Sequence, residues 1–247
     1  MALQNRETLK NFFGKNKMPS EGAFADLIDS SVNKFEDGFA KDEQYGLMLA
    51  PEAKSKTVLS LYNSLTDDVP GWSVTLGKDE QKNGLILGKP DRPPALFLQE
   101  DGKIGIATVR PQSELEVNGI IGSKGRIGTF ARGEVPGDGN WQDLLMNQDG
   151  CQAFEIMAGI GKKDYGKYAL LHATVLCTFG KSHKKIIRAQ AHYGWCWNKL
   201  KIRVRGGTHD YGIQIRTRCN YGEECNIRYH ITKLWDDPWM GWPPPDK

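Results

Sequence analysis

Apolar and polar positions change rhythm along the chain. Residues 5–13 and 20–35 carry apolar residues at helical spacing. In the second run Phe24, Leu27, Ile28, Val32 and Phe35 form one stripe, Ser20 stands at the N-cap, and Glu21 and Asp26 fall in the early turns. GKNKMP breaks the pattern between the two runs. Two short helices cannot bury such a stripe between themselves, so it is expected to pack on another chain or on the strands that follow.

From residue 46 to 131 the period falls to two. YGLMLA, TVLSLYN, WSVTL, GLILG, ALFLQ, KIGIATV, LEVNGII and RIGTF read as short strands joined by segments rich in Gly, Pro, Asp and Lys. GLMLAP, GLILGKP and GKIGIATVRP share an order of glycine, apolar alternation and proline, which makes a loose repeat with no fixed period. Strands this short each bury little surface against their ordering entropy. Several chains wound together would supply the missing contacts.

Residues 132–150, RGEVPGDGNWQDLLMNQDG, read as a polar connection or neck. Beyond it, runs at 152–158, 168–179, 185–193, 195–205, 211–219 and 226–234 alternate over longer stretches. About six antiparallel strands of this kind predict a β-sandwich or jelly roll. The prolines of DDPWMGWPPPDK exclude a central strand, so the tail is expected to run extended, with Trp239 and Trp242 packed or exposed as a contact. The predicted fold is mainly β in three regions. These are a short N-terminal helical segment (1–45), a β-rich shaft-like middle (46–131) and a C-terminal antiparallel β-sandwich head with a Pro/Trp-rich tail (132–247). The head holds Trp141, Trp195, Trp197, Trp235, Trp239 and Trp242, enough large side chains for a core of its own.

Composition sharpens this picture. The chain is 39% hydrophobic with 28 glycines in 247 residues. It has no apolar run of about 18 residues, so no membrane-spanning helix and no membrane insertion are expected. The N-terminus lacks an apolar signal-peptide core, and an extracellular or particle-associated protein would then be exported without a conventional signal. Net charge is +3, but residues 151–235 hold 15 Lys and Arg against 5 Asp and Glu, while residues 1–150 hold 17 against 22. The two parts are expected to meet different partners.

Candidate chemistry is sparse. Cys151, Cys177, Cys196, Cys219 and Cys225 are odd in number and fit no zinc spacing, so buried thiols are expected and a Cys219–Cys225 bridge is left open. GxSxG, HExxH and P-loop signatures are absent. His209 and Asp210 lie in a turn and read as structural, and Asp236 and Asp237 at a strand exit read as solvated. The reading is non-enzymatic, with no cofactor and no metal.

The sharper signal is cationic. In KLKIRVR, Lys201, Arg203 and Arg205 share one side opposite Leu200, Ile202 and Val204; in GIQIRTRC, Gln214, Arg216 and Arg218 oppose Ile213, Ile215, Thr217 and Cys219. A hairpin through RGGTHDYG would gather the arginines on one sheet face. Tyr193, Trp195 and Trp197 alternate just upstream. Alternation alone calls for a solvated outer face, but solvation does not require one sign of charge. Arginine forks bind phosphate and carboxylate, so Lys201, Arg203, Arg205, Arg216 and Arg218, with Tyr193 or Trp195 at the edge, form the candidate receptor-binding site. No nucleic-acid motif accompanies this face, and nucleic acid is not an expected partner.

One stretch carries a resemblance. GKIGIATVRPQSELEVNG resembles the G-x-[IV]-G-I-G-T-x-x-P-x-x-x-L-x-V-x-G segment of fibrous tail and adhesin proteins of bacteriophages and bacterial contractile injection systems. Gly102, Ile104, Gly105, Ile106, Thr108, Pro111, Leu115, Val117 and Gly119 take the matching positions. Ala107 stands where that family usually has glycine, and Arg110 precedes the proline. PSEGAFADLIDSSVNKFEDGF, QAFEIMAGIGKKDYGKYALLHA and IRYHITKLWDD are also similar to such tail-fibre-like proteins. The resemblance implies an intertwined homotrimeric fibre with a terminal recognition head; together with the cationic face, the reading is a protein joined to a phage-like or injection-system particle that binds a cell-surface receptor such as an anionic glycan. A secreted toxin or insecticidal effector with a host-binding head, and a polysaccharide-degrading tail spike, are the alternatives.

Overall fold

The structure, a computed structural model, describes residues 4–31, 38–51, 55–64, 66–77, 83–181, 183–235 and 237–241. The chain is mainly β and divides into two compact units, Met1–Gly122 and Ser123–Lys247. The division falls nine residues before the boundary expected at 131/132.

The first unit begins with two short helices, α1 (Arg6–Phe12) and α2 (Glu21–Asp29), each started by a side-chain cap. Asn5 Oδ1 accepts from the Thr8 amide at 2.9 Å, and Ser20 Oγ accepts from Ala23 at 3.3 Å. Phe13 and Phe24 meet edge to face, yet Phe24, Leu27 and Ile28 remain exposed. Val32 and Phe35, expected to extend the stripe, lie outside the described residues. A hairpin follows, of β1 (Phe39–Asp42) and β2 (Gly46–Leu49).

Six strands then form one sheet in chain order: β3 (Thr57–Leu61), β4 (Trp72–Gly77), β5 (Gly84–Gly88), β6 (Leu96–Gln99), β7 (Ile104–Ile106) and β8 (Leu115–Val117). Neighbours are antiparallel except β7 and β8, which run parallel. Phe97 is the one large apolar side chain of this unit that is buried among the described residues. Leu59, Leu61, Trp72, Leu98, Ile106 and Leu115 are exposed.

The motif GKIGIATVRPQSELEVNG builds the parallel pair. Parallel neighbours ordinarily need a crossover of a dozen or more residues, commonly a helix. Here a short loop suffices. The Ile104 amide donates to Glu114 O and the Asn118 amide to Ile106 O, both at 2.9 Å, while Asn118 Nδ2 donates to Ala107 O at 3.3 Å. A Cβ at Gly105 would lie 2.4 Å from Thr108 O, so the chain can double back only over glycine. Ala107 sits at φ 56°, in the left-handed region that glycine occupies without penalty. Pro111 is buried where the loop folds under itself.

The second unit is a two-layered sandwich. Its strands are β9 (Ala131–Pro136), β10 (Gln142–Gln148), β11 (Cys151–Gly161), β12 (Tyr168–Thr178), β13 (Lys184–Tyr193), β14 (Leu200–Gly206), β15 (Tyr211–Thr217) and β16 (Asn226–Lys233). One sheet has the order β13-β12-β11-β16-β9 and the other β10-β15-β14, all neighbours antiparallel. Inward positions alternate faithfully: Phe154, Ile156, Leu171 and Val175 from the first sheet pack with Leu200, Ile213 and Ile215 from the second, all at 0% exposure. Each such side chain contributes about 1.5–3 kcal/mol on burial.

Three expectations are corrected here. Residues 132–150 are not a neck but supply β9 and β10; their polar residues face solvent on edge strands, and register shifts at Asp143/Leu145 and Leu145/Gln148 break the alternation that would have marked β10. RIGTF is not a strand of the first unit. It runs beside β16, where the Phe130 amide donates to Ile231 O at 3.0 Å and the ring packs on Phe154. The strand expected over 195–205 begins only at Leu200, because residues 194–199 form a loop.

The tail returns to the sandwich. Cys151 N donates to Pro238 O at 2.6 Å, and Trp239 packs on Phe179 at 6.0 Å. Trp242 and Asp236 lie outside the described residues. All five cysteines are free thiols, including Cys219 and Cys225. No helix among the described residues is long and apolar enough to cross a membrane.

Candidate functional site

Strands β14 and β15 pair as the sequence pattern requires, with Lys201 opposite Arg216, Arg203 opposite Gln214 and Arg205 opposite Gly212. Leu200, Ile202, Val204, Ile213 and Ile215 are buried on the other side, so the cations stand on the outer face of the three-stranded sheet. Like charges directly across an antiparallel pair repel. The third strand supplies what relieves this.

Trp141 enters β10 beside Arg216. Its indole takes the Arg203 guanidinium at 4.0 Å and the Arg216 guanidinium at 4.7 Å from the ring centroid. Arg203 Nε also donates to Gln214 Oε1 at 2.8 Å, and Gln214 Nε2 donates to Asp143 Oδ1 at 2.6 Å. A row across the three strands is thereby locked in place. Desolvation first, then Arg205 and Arg216, lower the Arg203 pKa from its ordinary value, and Asp143 opposes them. Arg216 Nε is buried without a hydrogen-bond partner among the described residues, a donor left over after the ring contact.

The neighbouring loop repeats the arrangement. Arg218 lies over Trp197 at 4.2 Å, its amide bonded to Lys199 O at 2.8 Å in continuation of the β14–β15 ladder. Asn198, 4% exposed, holds the loop from within: its Nδ2 donates to Tyr193 O at 2.9 Å and its Oδ1 accepts from Cys219 Sγ at 3.4 Å. Gly194 at φ 87° makes the turn, where a Cβ would strike Gly166 O at 2.7 Å. The loop from Gly166 is thus pressed against it, and that loop carries a third pair, Lys162 over Tyr165 at 4.8 Å. Three aromatic rings that hold cations, Trp141, Trp197 and Tyr165, therefore gather where β11, β13 and β15 end, at one end of the sandwich.

The expected site is brought together in part. Lys201, Arg203, Arg205 and Arg216 share the outer face, and Arg218 joins it through Trp197. Trp195 is 78% exposed on the adjoining loop. Tyr193 does not join: it closes β13 in the other sheet and points outward beside Tyr168, on the opposite side of the sandwich. The alternation of Tyr193 with Trp195 predicts a shared face, but the strand ends at Tyr193 and the alternation stops there. Trp141, Asp143 and Trp197 were not assigned; an aromatic beside a β-edge run, NWQDLL, was the available signal.

The turn pair behaves structurally. His209 Nδ1 lies 3.0 Å from Asp149 Oδ1, and Asp210 O accepts from Gly207 N at 2.6 Å to close the β14–β15 hairpin. No group of three or more His, Cys, Asp or Glu that could hold a metal ion occurs among the described residues. Comparison with models of known protein families and with curated proteins returns no match for this chain.

Proposed function

We propose that the chain is a non-enzymatic, homotrimeric fibre or adhesin whose C-terminal head binds an anionic cell-surface glycan. The observation that carries this is the Trp141 indole flanked by Arg203 and Arg216 on the outer sheet face. A guanidinium held against an aromatic face loses little rotamer freedom when it captures a carboxylate, sulfate or phosphate, and the exposed Trp195 indole on the adjoining loop offers a ring face for stacking on sugars. Lys201, Arg205 and Arg218 widen the cationic field, with Asp143 as the acidic counterweight inside it.

Trimer formation is supported by the first unit, whose sheet and α2 leave apolar side chains exposed, with one large apolar side chain buried among the described residues. Three identical heads would multiply weak single-site contacts into useful avidity. Carriage on a phage-like or injection-system particle fits the motif that builds β7 and β8.

The test is an array of carboxylated, sulfated and phosphorylated polysaccharides probed with the full chain and with Arg203→Glu/Arg216→Glu. The wild type retains at least one acidic polysaccharide without shortening it, and the double variant retains none. Equal binding by the variant, or depolymerisation of the polymer, would refute the proposal.

A further inference from the structure

The side of the sandwich away from the arginines carries a second concavity, a groove of about 790 Å³ across the outer face of the five-stranded sheet. It exists because outward positions there are small. Gly159 of β11 and Ala191 of β13 face outward where longer side chains would otherwise cover the sheet, and Gly161 leaves the room that the Tyr168 ring takes over β11. With strands about 4.8 Å apart, a groove from β13 to β16 runs about 14 Å.

Its two walls differ in chemistry. On one side Tyr168 and Tyr193, in register across β12 and β13, stand edge to face at 6.3 Å beside Leu170, which is 54% exposed. On the other, β16 presents Asn226, Arg228 and His230. Asn226 Nδ2 donates to Glu134 Oε2 at 3.3 Å, and Arg228 pairs with Glu134 at 3.8 Å. His230 Nδ1 is buried and has no hydrogen-bond partner among the described residues.

An apolar aromatic wall facing planar donors and acceptors matches a pyranose, which has C–H faces and a rim of hydroxyls. The Arg228–Glu134 pair leaves the polar wall near neutral, so this seat suits hydroxyls, whereas the arginine face across the sandwich suits anions. We infer that the groove is a subsite for the uncharged pyranose rings of a glycan chain, hydroxyl edge toward β16. The inference rests on reading the head as a glycan-binding module.

The experiment uses the full chain at about 1 M salt, where the screening length of about 3 Å silences the arginine face. Saturation-transfer NMR is run against neutral oligosaccharides of glucose, galactose, mannose and N-acetylglucosamine. At least one shows transfer to its ring C–H protons. Gly159→Leu weakens it by about tenfold or more, equivalent to about 1.4 kcal/mol. The added Cβ meets nothing nearer than Leu170 Cδ1 at 3.5 Å, so the variant fills the groove without straining the strand. Tyr193→Ala weakens it similarly, and Arg203→Glu/Arg216→Glu leaves it unchanged. A panel with no binder, or Gly159→Leu binding as wild type, overturns the inference. So does a Gly159→Leu chain whose mass in solution changes while saccharide binding does not, since the groove then seats a second copy. Neutral binding that survives while acidic polysaccharides fail at low salt supports the groove and removes the arginine-face reading alone.

Discussion

The guanidinium of Arg216 lies 4.7 Å from the centroid of the Trp141 indole, bridging β15 and the start of β10 across the outer face of the three-stranded sheet. Arg203 shares the same ring at 4.0 Å, so one aromatic holds two cations that would otherwise repel. Each contact of this kind contributes about 0.5–1 kcal/mol at an exposed site. Trp141→Ala is expected to lower stability by about 1–2 kcal/mol on that basis and to weaken acidic-glycan binding about tenfold. Trp141→Phe, which keeps an aromatic face, loses less. Thermal unfolding and binding to an immobilised acidic polysaccharide, compared across the three proteins, check this.

High pH is expected to unfold the sandwich from its core. Burial pushes the Cys177 thiol from an ordinary 9.0 up to about 11, with Lys184 opposing, and pushes the Tyr221 phenol from 10.0 up to about 12. Burial, followed by Cys177, Cys151 and Asp149, also raises Tyr211, whose hydroxyl donates to Gly150 O at 3.0 Å. A raised folded-state value means that the folded chain holds the proton more tightly than the unfolded one. The Cys177 contribution is therefore complete below about pH 9 and is lost as pH rises toward 11. Chemical denaturation between these limits should show falling stability, and Cys177→Ala should flatten the first part of that decline.

Gly180→Ala should damage the head severely. A Cβ there would lie 1.8 Å from Gly207 O and 2.7 Å from Tyr211 Cβ, where the bend after β12 passes the β14–β15 hairpin turn. Backbone cannot yield as a side-chain tip can, so a loss of more than about 3 kcal/mol is expected. Gly166→Ala, with open space around its Cβ but φ 60°, tests conformational strain alone and should cost about 1 kcal/mol. Denaturant midpoints of the two variants separate packing from strain.

The long inner strands were legible because both periods agreed: Phe154, Ile156, Ala158 and Ile160 alternate inward in β11, as do Ile213 and Ile215 in β15. The hairpin that gathers Arg203 and Arg216 followed from the same rule. β9 and β10 were hidden for opposite reasons. β9 alternates, but its polar residues and Pro136 read as turn, while β10 carries two register shifts and Asn147 at φ 56°. With β10 unread, Trp141 had no strand to place it on the arginine face. Tyr193 was misplaced because a side chain's sheet, unlike its parity, is set by where the chain crosses between layers.

The two units should separate in behaviour. The second unit contains the whole hydrophobic core cluster, whereas among the described residues of the first Phe97 is the one large apolar side chain that is buried. Residues 123–247 expressed alone should unfold cooperatively, and residues 1–122 should be stable only as an oligomer. Light scattering and thermal scans of the two pieces check this; a stable monomeric 1–122 would remove the reason for a trimer.

The most direct measurement is the salt dependence of binding to an immobilised acidic polysaccharide. Raising salt from about 0.1 M to about 1 M shortens the screening length from about 10 Å to about 3 Å. If Arg203, Arg205, Arg216 and Arg218 capture anionic groups, affinity of the wild type falls steeply over this range, and Arg203→Glu/Arg216→Glu shows no binding at either end. Affinity that stays level with salt, or a double variant that follows the wild-type curve, would contradict the account.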